Sequence, residues 1–219
     1  MVGWYSHSNK QFYQHMAYLD RKVMQEIAPI MLSPDDAFAK AVAALKSEEG
    51  GYSNDPNDPG GATNYGWTQR TATAFGYTGD VKNMTWDDAV ALYKACFWHQ
   101  TMYDDMCLID DGIAMKLFDQ SVNIGSPKAG KFLQQALNVL GLNGNDYPTL
   151  DTDGVCGKLT QHALQQFINL RGDHGRTVML AMLDAQQSCY YIDLGMRNKL
   201  LQEYEYGWQV RAETQPTVA

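Results

Sequence analysis

The run from Gly50 to Gly66 lies in a chain whose apolar residues otherwise recur at helical intervals, and it cannot itself be helix. It reads Gly-Gly-Tyr-Ser-Asn-Asp-Pro-Asn-Asp-Pro-Gly-Gly-Ala-Thr-Asn-Tyr-Gly. Proline removes a backbone donor, glycine leaves the backbone unrestrained, and Asn and Asp side chains compete for local N–H groups. An ordered loop or short hairpin is expected there. In front of it, Ser33-Pro34-Asp35-Asp36 reads as a helix start, with a serine cap, proline in the first turn and acids near the positive end of the helix dipole. Phe38, Val42, Leu45 and Glu49 follow at helical spacing until Gly50-Gly51 stops the helix. Beyond the loop, helices are expected over 68–75, over 86–99 (opened by Thr85 with Asp88 as a capping box), and near 112–122 and 127–140. A second Gly/Asn/Asp-rich loop spans 141–157. Helices then resume over 159–170 and from about residue 176 towards 206. Strand signals are few, so the class is mainly α.

Charge and composition narrow the partners. The chain has 219 residues, 45% of them hydrophobic, and a formal net charge of -8. That length holds one large domain or two small ones. The acidic balance argues against nucleic acid or an anionic membrane as the main partner, since both reward clustered Lys and Arg. No stretch approaches the roughly 20 apolar residues that span a bilayer. An irregular amphipathic helix is expected from 11 to about 31, and residues 1–31 are broken by polar residues, without the apolar core of a signal peptide. Another system is therefore expected to deliver the protein to any substrate outside the cytoplasm. Cys96, Cys107, Cys156 and Cys189 form no CxxC pair and read as free buried thiols. The five histidines form no HExxH pattern, and neither Gly-rich loop has the ligand ladder of a calcium site. No metal or cofactor is expected.

The chemistry gathers at the end of the first helix. At about 100° per residue, Phe38, Val42, Leu45 and Glu49 fall within a stripe about 60° wide. Glu48 lies about 100° round, towards Ala41 and Ala44. Glu49 thus meets the loop from the apolar face, where burial raises a carboxyl pKa, as does the negative end of the helix dipole. A glycosidase general acid needs that shift to hold its proton near neutral pH. The same spacing also suits a solvated glutamate at a helix end. The loop adds Asn54, Asp55, Asn57 and Asp58. Glycoside hydrolysis commonly uses a second carboxyl group that stays ionised, and a polar Asn/Gly loop keeps an Asp in that state. An Asx-turn staple without chemistry is the other reading, and it fits Asp55 better than Asp58.

The run from Glu49-Gly-Gly-Tyr through Asn64-Tyr-Gly-Trp67 resembles the signature of the glycoside hydrolase family 108 muramidases, phage endolysins and related bacterial lysozymes. The resemblance implies Glu49 as catalytic acid, Asp58 as second carboxylate, and Thr63 as a water or substrate contact. It departs from the family at Trp67, where Ile or Val is commoner. In the broader phage-lysozyme arrangement a Thr lies six residues after the Asp, where this chain has Asn64, so Thr63 is one residue short. Phe118-Asp-Gln-Ser-Val-Asn-Ile-Gly125 is similar to the family's cleft-lining helix and contributes Asn123. Thr152-Asp-Gly-Val-Cys-Gly-Lys-Leu-Thr160 resembles the DGxxG turn of predicted peptidoglycan-binding domains, and Gly207-Trp208-x-x-Arg211 resembles their end.

The resemblance implies a lysozyme-like helical fold, with a small loop or hairpin region beside the catalytic Glu and a C-terminal helical module. Residues 1–33 form an extension of unknown role, 34–124 the catalytic domain and 125–213 the peptidoglycan-binding module. Leu133, Leu137 and Leu140 look like core shared between the two. Tyr52, Asn54, Tyr65 and Asn123 are the substrate-binding candidates, whereas Trp86, Trp98 and Trp208 read as structural. The implied activity is hydrolysis of the β-1,4 bond between N-acetylmuramic acid and N-acetylglucosamine, in an endolysin that lyses a host with a holin or other delivery system. A lytic transglycosylase on the same bond and a non-catalytic cell-wall-binding or virion protein are the rival readings.

Overall fold

The computed structural model describes residues 31–48, 51–54 and 61–213. Everything described from Leu32 onward belongs to one compact unit. Its elements are mostly helical. Helix α1 is Pro34–Glu48, followed by the two-residue strands β1 (Thr63–Asn64) and β2 (Trp67–Thr68), then α2 (Gln69–Ala74), α3 (Trp86–Tyr93), α4 (Tyr103–Cys107), α5 (Asp111–Ile124), α6 (Ser126–Leu140), α7 (Lys158–Arg197) and α8 (Gln202–Glu213). The fold is mainly α and lysozyme-like, with a small hairpin and a C-terminal helical module. Among the described residues no helix is long and apolar enough to cross a membrane.

The caps sit where the sequence places them. Ser33 Oγ accepts from Asp36 N (3.2 Å) at the start of α1. Thr85 and Asp88 exchange hydrogen bonds at the start of α3, satisfying two backbone donors that the first turn leaves orphaned. Helix α3 runs on through a π-helical turn, Lys94–His99, that carries Trp98 into the core. The long helix expected from 176 towards 206 is two elements. Helix α7 ends at Arg197, Asn198 leaves the helical region and caps a tight 3-10 turn with its side chain, and α8 returns along α7. The return is held by Gln209 Nε2 donating to Ser188 O (3.2 Å) and by Trp208 stacked on Tyr191 with ring centroids 5.2 Å apart. Apolar periodicity continues across such a turn because both arms bury a face, so periodicity alone could not find it. Within α7 the chain also kinks at Gly172, whose φ is 57°.

One hydrophobic cluster runs through the unit. Phe38, Val42 and Leu45 of α1 pack with Trp98, Phe118 and the hairpin's Trp67, and the same cluster continues into Leu133, Leu137, Leu164, Met179 and Leu183. A buried polar seam crosses it. Lys116 of α5 is fully buried, with Nζ 2.6 Å from Asp184 of α7 and donating to Ala212 O of α8 (3.1 Å). Gln120 Nε2 donates to Leu183 O (2.9 Å). Arg176 of α7 donates to both Asp110 (2.5 Å) and Asp111 (3.2 Å) at the start of α5. The four cysteines are free; Cys107 and Cys156 are buried and Cys96 is half-buried, whereas Cys189 is exposed, contrary to its reading as a buried thiol.

Candidate active site

The Gly/Asn/Asp loop is closed at its base. Ser53 and Thr63 pair as an antiparallel bridge, with Ser53 N donating to Thr63 O (2.8 Å) and Thr63 N to Ser53 O (2.9 Å). Thr63 and Asn64 then pair with Thr68 and Trp67 across a two-residue turn. Tyr65 and Gly66 both have positive φ, 47° and 75°, as a type I′ turn demands. Tyrosine rarely adopts that conformation, and two contacts hold it there. Tyr93 Oη donates to Tyr65 O (2.9 Å), and the Tyr65 ring meets Trp86 edge-on at 5.4 Å.

Asn64 is buried, and Nδ2 donates to Val81 O (2.8 Å) and Met84 O (3.3 Å). The residue six places after Asp58 is thus a structural bolt, fastening the hairpin to the Val81–Asn83 turn. Thr63, its neighbour on the opposite face of the strand, is half-buried, and its hydroxyl donates to Gly61 O (3.1 Å). Trp67, where the resemblance departs, packs among Phe75, Tyr93 and Phe97. A larger apolar side chain there fills the space beneath the hairpin.

The aromatic candidates stand beside lysines that sequence reasoning did not single out. Lys82 Nζ lies 6.0 Å from the centroid of the exposed Tyr52 ring, and Lys46 Nζ lies 5.0 Å from that of Trp86. Lys46, Trp86 and Tyr65 therefore join the last turn of α1 to the hairpin. Trp86, read as structural, is half-buried and part of this junction; Trp98 is fully buried. Asn54 is exposed. Asn123 is half-buried and turned back on its own helix, donating to Asp119 O (2.8 Å) and Oδ1 (3.0 Å). Glu49 and Asp58 lie outside the described residues, as does the Glu48 side chain.

Helix α1 alters one argument made from sequence. Its buried face includes Ala37 and Ala41 (7% exposed) as well as Phe38, Val42 and Leu45. At about 100° per residue this arc spans about 140°, wider than the 60° stripe read from the sequence and wider than the step between consecutive residues. Helical phase therefore does not separate the two glutamates. What separates them is position, because Glu49 heads the Gly-Gly-Tyr run.

The C-terminal motifs also acquire a physical meaning. Gln134 of α6 is buried; Oε1 accepts from Gly154 N (2.8 Å), and Nε2 reaches Asp153 Oδ1 (2.7 Å), Val155 O (3.1 Å) and Thr160 Oγ1 (3.3 Å). The DGxxG turn is thus wrapped round one amide. Gly154 has a φ of 87°, and a Cβ on it would come within 2.3 Å of Pro127 O. Arg211 of the closing motif lies 3.5 Å from Asp119 of α5, while Trp208 stacks between Tyr191 and Tyr204. Both motifs are devices that close the fold.

Helix α1 thus precedes a polar segment whose base the Ser53–Thr63 bridge closes, and a second helical module packs on the same core. Residues 42–125 match the family model described as Glycosyl hydrolase 108, and residues 128–213 match the Predicted Peptidoglycan domain. These two matches support a glycoside hydrolase that acts on peptidoglycan. Among solved structures the chain is similar to SagA of Brucella abortus, with 27% identity and a TM-score of 0.64 over 83% of this chain and 92% of that one. No curated protein matches the chain at a significant level.

Proposed function

We propose that the protein is an N-acetylmuramidase, cutting the β-1,4 bond between N-acetylmuramic acid and N-acetylglucosamine, with Glu49 as general acid. The observation that carries this reading is the family match over 42–125, which contains the whole run from Glu49 to Trp67. Glu49 protonates the leaving glycosidic oxygen as the bond lengthens and positive charge builds on the sugar ring. Asp58, as the second carboxylate, stabilises that charge or positions the attacking water. Thr63 steadies the water or the substrate at the base of the loop. Tyr52 and Tyr65 line the cleft, where an aromatic face suits the C–H face of a pyranose. Asn54 and Asn123 are its polar contacts. In an endolysin role the enzyme is made in the host cytoplasm and reaches the wall through a holin or another delivery system. The test is mass spectrometry of muropeptides released from purified sacculi. Hydrolysis leaves a reducing muramic acid and adds one water per cut; an anhydro-sugar product would instead assign a lytic transglycosylase, and no product would remove the enzymatic reading.

A further inference from the structure

The C-terminal module holds a groove of about 590 Å³ between the 147–155 loop and the first turns of α7, well apart in sequence from the candidate active site. Its apolar lining is aliphatic, from Leu150, Val155 and Leu159. Leu159 is 80% exposed and Val155 56%, an uncommon placement for two large apolar side chains in one concavity. Its charges have both signs, with Asp151 and Asp153 on the loop and Lys158 on the helix, where the His162 ring also lines it. The first turn of α7 has no side-chain cap, so backbone N–H groups at the positive end of the helix dipole sit beside Lys158. The aromatic residue at the groove, Tyr147, is 4% exposed and its hydroxyl donates to Leu137 O (2.8 Å), so it offers no ring face for a sugar to stack on.

We infer that this groove binds the peptide stem of peptidoglycan rather than its glycan. Resting on the reading of the chain as a peptidoglycan hydrolase, the inference names which part of the polymer the second module grips. A stem peptide is short and carries methyl side chains, free carboxylates and, at its diamino residue, an ammonium group. Leu150, Val155 and Leu159 cover the methyl groups, Lys158 and the helix end take a carboxylate, and Asp151 takes the ammonium. The DGxxG turn contributes by shape. Tied to Gln134, it fixes the wall that carries Val155 and lowers the Asp153 carboxyl from its ordinary value, chiefly through the Gln134 hydrogen bond.

The test uses the full chain on ice and measures co-sedimentation with intact sacculi and with sacculi stripped of their stems by an amidase, alongside calorimetric titration with a soluble stem tetrapeptide. Leu159→Asp and the pair Lys158→Glu/His162→Glu alter exposed side chains only, and Val139→Asp, on an exposed apolar residue outside the groove, is the control. Thermal melts confirm that each variant folds. The expected result is at least ~10-fold weaker binding of tetrapeptide and intact sacculi by both groove variants, no change for the control, and loss of most wild-type binding on stripped sacculi. Undiminished binding to stripped sacculi, or groove variants that bind like wild type, overturns the peptide assignment while leaving the hydrolase reading in place. A wild-type chain that neither binds nor cuts intact sacculi overturns both.

Discussion

Asn64 shows how much a single side chain can fix in this molecule. Its amide donates to Val81 O and Met84 O from a buried position, so Asn64→Ala takes that donor from Met84 O and leaves Val81 O with Met84 N alone. The expected cost is about 1–3 kcal/mol, read as a lower midpoint in a urea melt; an unchanged midpoint would mean that water replaces the amide. Arg176 is a second such residue, with a pH signature. Burial pushes the Asp110 carboxyl above its ordinary 3.8, while the Arg176 hydrogen bond pulls it back. Arg176→Met removes that pull and raises the folded-state value further. A carboxyl whose pKa is raised on folding is destabilising above that folded value, and the penalty fades as the pH falls through it towards 3.8. The variant is therefore expected to lose about 3–5 kcal/mol at pH 7 and much less near pH 4, compared with wild type at each pH. An equal loss at both pH values would show that the charge pairing is not the cause.

At the scale of elements, the sequence was legible wherever local chemistry decides. Serine, threonine and acid caps, glycine stops and the 3.6-residue period located α1, α5, α6, and α3 together with its π-helical turn, to within a residue or two. It was illegible where tertiary packing decides. The return of α8 along α7 depends on Trp208, Tyr191, Gln209 and Ser188 meeting across 17 to 21 positions, a pairing that no window reveals. The site divides in the same way. The Glu49-Gly-Gly-Tyr run is recognisable as a string, but the lysines beside Tyr52 and Trp86 come from other elements, and Asn64 turns inward for reasons that lie on the Val81–Asn83 turn. The glycines of the second module make the point testable. A Cβ at Gly130 of α6 would lie 2.1 Å from Gly154 O, a backbone atom that cannot step aside, whereas one at Gly207 of α8 would meet nothing within 4 Å. Gly130→Ala is expected to destabilise by about 1–3 kcal/mol or more and Gly207→Ala to stabilise by about 0.5–1 kcal/mol, both by thermal melt. Equal effects would contradict the close approach of α6 to the DGxxG turn.

For the molecule as a whole, the catalytic segment and the second module share their interior. Lys116 and Gln120 of α5 find their partners on α7 and α8, and Leu133, Leu137 and Leu183 belong to the cluster that holds Phe38 and Trp98. Truncation after Asn123 would strip the partner from a fully buried lysine and open the apolar face of α5. The shortened chain is expected to lose cooperative unfolding in circular dichroism rather than survive as a free catalytic domain; a cooperative melt near the wild-type midpoint would contradict the shared core. Glu48 and Glu49 are neighbours in sequence, and separating them by activity is the most direct test of the central claim. The measurement is turbidity clearing of purified sacculi by wild type, Glu49→Gln, Glu48→Gln and Asp58→Asn, each checked for folding. Glu49→Gln keeps the shape of the side chain but has no proton to give, so clearing is expected to fall by at least ~100-fold. Glu48→Gln is expected to lose less than about tenfold, as for a substitution outside the chemistry, and Asp58→Asn to fall between the two or close to Glu49→Gln. Full clearing by Glu49→Gln, with Glu48→Gln inactive, would contradict the assignment of the general acid.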